Sequence, residues 1–275
     1  MTATQSTTGA PTDDDVGPPL RGRVAVITGA SRGIGAATAQ ALAAAGARVV
    51  LAARDQARLD DVAQTIERIG GTALVAPTDV TDHEAVAALM RRTVEHFGRL
   101  DIAVNNAAGA GHPPTPLARV TVEDFDDAIA TTLRSVFLGM KYAIPAMLGG
   151  GGGAIVNIGS TAGVQAVAGL AGYCTSKHGL VGLTQVAALD YAEHDIRVNA
   201  LAPGPIHTER LEQAGKHGRA MAAAAMPMRR IGDVTEVAAA VVWLCSDAAS
   251  FITGAVLPID GGKLAGTPTF TKLSS

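Results

Sequence analysis

Cysteine is nearly absent: Cys174 and Cys245 are the only two among 275 residues, and no Asn-x-Ser/Thr triplet occurs. Both thiols lie in helical patterns without metal-ligand spacing, so a reducing, cytoplasmic setting is expected rather than a disulfide framework. No apolar run approaches the length needed to cross a bilayer, so no membrane-spanning segment is expected. Blocks of basic residues are missing too. Lys and Arg are scattered and the formal net charge is −3, which argues against a nucleic-acid partner. The seven histidines form no ligand cluster, and no metal is expected even at His207 and His217, ten apart. Residues 1–20 lack both the basic start and the apolar run of a signal peptide. They are rich in Thr, Pro, Gly and Asp, hold no aromatic residue, and read as a disordered tail.

What is present is a sizeable apolar fraction in a regular alternation. Short β-type runs at 23–28, 47–52, 72–76, 101–105, 154–158, 196–200 and 255–259 are each followed by helical sequence or a turn. Helical patterns cover 33–45 and 55–69, and a further one opens at Thr81 with Glu84 as a capping box. Thr121 with Asp124 opens a long helix through Met147, ended by Gly149 to Gly153, and Asp233 with Glu236 caps a helix through Cys245. Strands apolar throughout, each leading into a helix, predict an α/β fold: a parallel sheet covered on both faces. No linker divides 21–264, so one domain is expected, followed by a tail at 265–275. The Ala-, Met- and Gly-rich stretch 207–228 reads as a flexible lid or as ordinary helix packing.

The first strand runs into Thr28-Gly-Ala-Ser-Arg-Gly-Ile-Gly35. Glycines between a strand and a helix allow a tight turn, and let backbone amides approach a pyrophosphate at the helix N-terminus. Gly29, Ser31, Gly33, Ile34 and Gly35 are therefore candidate cofactor residues. After the second strand, where an NAD site usually has an acidic residue, stand Ala53 and Arg54. A guanidinium pairs with a 2′-phosphate that a carboxylate would repel. With Arg32 inside the glycine loop, this predicts NADPH/NADP⁺ rather than NAD(H).

Tyr173 and Lys177 lie four apart at the start of an apolar helical run, which stacks them on one face. A cation there favours phenolate over phenol, so a group that ordinarily titrates near pH 10 becomes a candidate proton donor and acceptor.

Taken in order, Thr28-Gly-x-x-x-Gly-x-Gly35, Asp79-Val80, Asn105-Asn-Ala-Ala-Gly109, Ser160, Tyr173-x-x-x-Lys177, Asn199 and Pro203-Gly204 resemble the short-chain dehydrogenase/reductases. The resemblance covers about 21–264 and points to the single-domain type that includes the 3-oxoacyl carrier-protein reductases. It implies a Rossmann-type, doubly wound sheet and a homo-oligomer, usually a tetramer, otherwise a dimer. It implies that Tyr173 is the acid or base, that Lys177 lowers its pKa and binds the nicotinamide ribose, and that Ser160 holds the substrate oxygen. Asp79 and Val80 would contact adenine, Asn105 and Ala107 would line the cofactor, and Pro203, Gly204, Ile206 and Thr208 would embrace its nicotinamide end. One position departs. In Ala130-Thr-Thr-Leu-Arg-Ser-Val-Phe137, Thr132 stands where the family has an Asn that holds a water linking the Lys to solvent. A shorter, β-branched hydroxyl cannot reproduce an amide's contacts, which puts the proton relay in question.

The family's substrate-facing stretches are here 110–115, 161–170 and the segment after Gly204. They are small and apolar, which suits an apolar carbonyl or secondary alcohol, with His112, Gln165 and His207 as candidate polar contacts. The expected activity is NADP(H)-dependent reduction of a carbonyl or oxidation of an alcohol. An isomerase or cyclase on the same fold, and a catalytically impaired NADP-binding regulator, are the alternatives.

Overall fold

The computed structural model describes residues 17–109 and 111–266, the side chain of Arg210 excepted. Seven strands form one sheet: β1 Val24–Thr28, β2 Arg48–Ala53, β3 Thr72–Pro77, β4 Ile102–Asn105, β5 Gly153–Ile158, β6 Ile196–Pro203 and β7 Val256–Ile259. Their order is β3-β2-β1-β4-β5-β6-β7, and every neighbouring pair is parallel. The alternation of side chains along each strand divides the apolar residues between two cores. Ile27, Leu51, Val104 and Val156 pack under α1 (Gly33–Ala44), α2 (Gln56–Arg68) and α9 (Val234–Cys245). Val26, Val50, Ala103 and Ile155 pack under α3 (His83–Phe97), α5 (Ser135–Gly150) and α6 (Ala171–Tyr191). Burial on both faces is why these strands read as continuous apolar runs. The fold is therefore the expected doubly wound Rossmann-type α/β sheet. Chain order reverses between β1 and β4, which opens a crevice beyond the C-terminal ends of those strands.

Local details differ from the sequence reading. Leu20, expected at the end of a tail, is 1% exposed, and its amide donates to Ala45 O at 2.9 Å. The first 16 residues of that tail lie outside the described residues, as do 267–275 of the C-terminal one. The cap of α3 is Asp82, not Thr81: the Asp82 carboxylate accepts from the amides of Glu84 and Ala85. Thr81 is held elsewhere, its amide and hydroxyl both donating to Asp79 Oδ1 at 2.9 and 2.7 Å. Thr121 and the Asp233–Glu236 capping box start α4 (Val122–Ala128) and α9 as expected. The long helix expected after Thr121 is interrupted: α4 passes into a π-helical stretch, Ile129–Arg134, before α5 begins. Such inserted residues reset which side chains face inward, and Thr132 lies in this stretch, 2% exposed. The stretch 207–228, expected as a flexible lid or as ordinary helix packing, contains α7 (Glu209–Glu212) and α8 (Gly215–Ala224). Among the described residues no helix is long and apolar enough to cross a membrane.

Candidate active site

The C-terminal ends of β1 and β4 carry the glycine loop and the Asn105–Asn106 pair. Gly29 and Gly33 adopt left-handed conformations, with φ of +65° and +55°. A Cβ at Gly35 would run into the Gly29 carbonyl and the Asn106 amide, so that position requires glycine. Asn106 stitches the loop to β4: its Nδ2 donates to Thr28 O at 3.0 Å and Gly29 O at 3.1 Å. The amides of Asn106 and Ala107 in turn donate to Thr28 Oγ1 at 3.0 and 3.2 Å. A Cβ on Gly33 would meet Thr208 Cγ2 at 3.5 Å, ordinary van der Waals contact, so the segment before α7 packs against the loop at this point. Arg32, the N-cap of α1, provides no side-chain cap. The first amides of that helix therefore lack a side-chain acceptor and suit an incoming anion. The chemistry of this loop fits a dinucleotide pyrophosphate; Ser31 lies within it, while Ile34, in the first turn of α1, packs against the core.

The remaining cofactor candidates lie at or after the C-terminal ends of β2, β3, β4 and β6. Arg54 is exposed just past β2, and Asp79 and Val80 follow β3. The hydrogen bonds from Thr81 hold the Asp79 carboxyl below its ordinary pKa, with Arg54 a smaller contributor. Pro203 ends β6, and Gly204 N donates to Ile259 O at 3.0 Å. Ile206 is buried and bridges to Gly232, so it anchors this segment in the core. Asn105 is also turned inward. Its Nδ2 donates to Asn157 Oδ1 at 2.8 Å, and Asn157 Nδ2 donates to Thr184 Oγ1 at 2.9 Å. This buried chain ties β4 and β5 to α6.

α6 carries the candidate proton-transfer pair. Tyr173 is half-buried and Lys177 is 3% exposed, its Nζ lying 5.8 Å from the centre of the Tyr173 ring. Lys177 Nζ donates to Ile158 O at 2.6 Å, which pins the ammonium to the end of β5, two residues before Ser160. Ser160 Oγ accepts from Ala162 N at 3.1 Å and opens a short 3₁₀ turn, Thr161–Gly163. Gly163 packs on the backbone of Lys177, close enough that any Cβ would clash. Ser176 Oγ donates to Ala128 O at 3.0 Å, joining α6 to the point where α4 becomes π-helical. So β5, α6 and the π-helical stretch bring Ser160, Tyr173, Lys177 and Thr132 to one region of the sheet's C-terminal edge.

The three substrate candidates have different surroundings, although Thr115 N donates to Gly169 O at 3.0 Å and so joins the first two substrate-facing stretches. His112 Nδ1 donates to Pro113 O at 2.7 Å, while its Nε2 is buried without a hydrogen-bond partner among the described residues. Gln165 is exposed beyond the 3₁₀ turn. His207 pairs with Glu212 inside the α7 segment. Ala110, in the first substrate-facing stretch, lies outside the described residues.

Three participants escaped the sequence reading. Glu209, at the start of α7, receives Arg32 Nη1 at 3.3 Å and Arg58 Nη1 at 3.1 Å. Lys263 Nζ donates to Thr161 Oγ1 at 3.3 Å, behind the Ser160 turn. Neither pairing had a sequence signal, because each joins segments far apart in the chain. Asn157, between Val156 and Ile158 in an apolar strand, did offer one: a polar residue inside a buried run needs a partner.

The family model described as enoyl-(acyl carrier protein) reductase matches residues 29–263. The chain belongs to the short-chain dehydrogenase/reductase family. Cis-4-hydroxycyclohexanecarboxylate dehydrogenase of Sinomonas cyclohexanicum is 45% identical over 244 residues, covering 88% of this chain and 97% of that protein. The A-factor type gamma-butyrolactone 1′-reductase (1S-forming) of Streptomyces virginiae is 42% identical, with 88% and 96% covered. The crystal structure of levodione reductase superposes with a TM-score of 0.88 at 35% identity, covering 90% of this chain and all of that one. As a short-chain dehydrogenase/reductase, this chain is an oxidoreductase of alcohol or carbonyl substrates that works with a nicotinamide cofactor.

Proposed function

We propose that this protein is an NADP(H)-dependent carbonyl reductase or alcohol dehydrogenase acting on an apolar, ring-bearing small molecule. The observation that carries the reading is the buried Lys177 ammonium, held by Ile158 O on the same helical face as Tyr173 and beside the Ser160 turn. A bound nicotinamide would supply or accept the hydride. The chain's own groups would handle the oxygen. Ser160 Oγ–H hydrogen-bonds the substrate oxygen, and Tyr173 gives it a proton in reduction or takes one in oxidation. Lys177 keeps positive charge beside the phenol and hydrogen-bonds the cofactor ribose. Thr132, whose hydroxyl replaces the family's amide, serves the proton route to solvent.

Preference for NADP(H) rests on Arg54 and Arg32 at the C-terminal edge of β1 and β2: Arg54 fills the first position after β2, and the next residue, Asp55, is engaged as the cap of α2. The ring-bearing class rests on the names of the relatives and on the small, apolar composition of 161–170. A homo-oligomer, dimer or tetramer, would cover the apolar side chains exposed on α5 and α6, Phe137, Val186 and Leu189. Light scattering that returned a monomer mass would end that part of the proposal. The activity itself is tested by following NADPH oxidation against a panel of cyclic ketones, and NADP⁺ reduction against the matching alcohols. Turnover is expected in at least one direction. Tight NADPH binding without turnover on any member would instead favour a catalytically impaired regulator, in which the Thr132 hydroxyl fails as a proton route.

A further inference from the structure

Three segments distant in sequence meet at Glu209. Arg32 comes from the glycine loop, Arg58 from the first turn of α2, and Glu209 from the start of α7. Arg58 Nη1 reaches both carboxylate oxygens at 3.1 Å, and Arg32 Nη1 reaches Oε2 at 3.3 Å. The hydrogen bond and charge of Arg58, then those of Arg32, hold the Glu209 carboxyl below its ordinary pKa, so it is an anion at any pH near neutrality. Arg58 Nε also pairs with Asp55, the cap of α2, at 3.5 Å, so Nη1 is the part of Arg58 that converges with Arg32 on Glu209 to make a seat for an anion. This seat stands at the C-terminal edge of β1 and β2, on the adenosine side of a doubly wound sheet.

We propose that Glu209 is a specificity-determining residue: its carboxylate occupies an anion seat made by Arg32 and Arg58, and a cofactor bearing a 2′-phosphate must displace it, whereas one with free ribose hydroxyls need not. The inference rests on the reading of this groove as the dinucleotide site. An ordinary surface ion pair is the simpler account, but it leaves the convergence of two arginines from separate segments unexplained. Half-exposed side chains make the contact easy to break: the exposures are 63% for Arg32, 45% for Arg58 and 54% for Glu209. A phosphate monoester brings more charge and three acceptor oxygens, so it wins both arginines. Displacement also frees α7 from the glycine loop, while the pairing of Glu212 with His207 and Arg219 stays within 207–219. Arg58 thereby becomes a phosphate ligand alongside Arg54.

The test is cofactor affinity, measured by fluorescence titration of NADPH and NADH into the wild type, Glu209→Gln, and Glu209→Gln with Arg58→Ala. Glu209→Gln is expected to tighten NADPH about five-fold and change NADH less than about two-fold. Adding Arg58→Ala to that background should weaken NADPH about ten-fold and again spare NADH. Both effects should shrink at high salt. Equal changes for both cofactors, or none for either, would overturn the proposal. A wild type that prefers NADH, together with a Glu209→Gln variant that gains NADPH, would refute NADP(H) preference and keep Glu209 as the determinant. A wild type that prefers NADPH with an unresponsive variant would do the reverse.

Discussion

The two ends of the ligand crevice are built on opposite principles. At the β5–α6 end, polar groups are buried: Lys177 is 3% exposed, Thr132 2% and Asn157 0%, with Lys177 held by Ile158 O and Asn157 by Asn105 and Thr184. At the β1–β2 end, Arg32, Arg54, Arg58 and Glu209 are all exposed or nearly so. Burial makes a charge expensive to strand and therefore holds it in one place, which proton transfer requires. Exposure leaves ion pairs weak and exchangeable, which suits a groove that must admit and release a charged cofactor. The β5–α6 end therefore has one arrangement, and the β1–β2 end has exchangeable partners.

The largest effect should come from Tyr173→Phe, which keeps the ring and removes the hydroxyl. Turnover is expected to fall at least about a thousand-fold, with NADPH affinity nearly unchanged by titration. Retained turnover would break the comparison at its centre. Next is Asn157→Leu, which strands Asn105 Nδ2 inside the core and leaves the Thr184 hydroxyl only its bond to Leu180 O. A loss of about 2–3 kcal/mol is expected, read as a melting temperature lower by roughly 5–10 °C. No shift would mean that the buried chain does not anchor α6. At the exposed end, Arg54→Ala should weaken NADPH about ten-fold without changing the melting temperature. A comparable loss of NADH affinity would show that Arg54 serves the fold or the ribose rather than a phosphate. The smallest effect concerns Glu236, whose carboxyl is lowered to about 2, mainly by its hydrogen bond from Arg230 and next by that from Asp233 N. A depressed carboxylate stabilises the fold fully above its ordinary pKa, and that contribution declines with falling pH until it is gone below the folded value. Glu236→Gln should therefore melt slightly below the wild type at neutral pH. The gap should narrow as pH falls below about 4.5 toward 2. A gap that widened on acidification would reverse the sign of this assignment.

Much of the molecule was legible residue by residue. Continuous apolar runs exposed the parallel sheet because burial on both faces removes the alternation a half-exposed strand would show. The cap at Asp233 was readable because capping boxes act over three residues. The cap at Thr81 was misread because Asp82 is an equally good acceptor one position later, and Asp79 already engages Thr81. The π-helical stretch at 129–134 left no mark, since the same composition serves an uninterrupted helix.

For this protein, the sequence by itself determined the order of strands and helices, the glycine loop, and the helical spacing that aligns Tyr173 with Lys177. These are local properties, set by sterics and periodicity within a few residues. Only the tertiary structure decided that Ile158 holds Lys177, that Asn105 turns inward to Asn157, and that Glu209 closes on Arg32 and Arg58. Those partners lie 19, 52, 177 and 151 positions apart. Contacts at such separations depend on how the sheet folds the chain back on itself, and no local pattern encodes them.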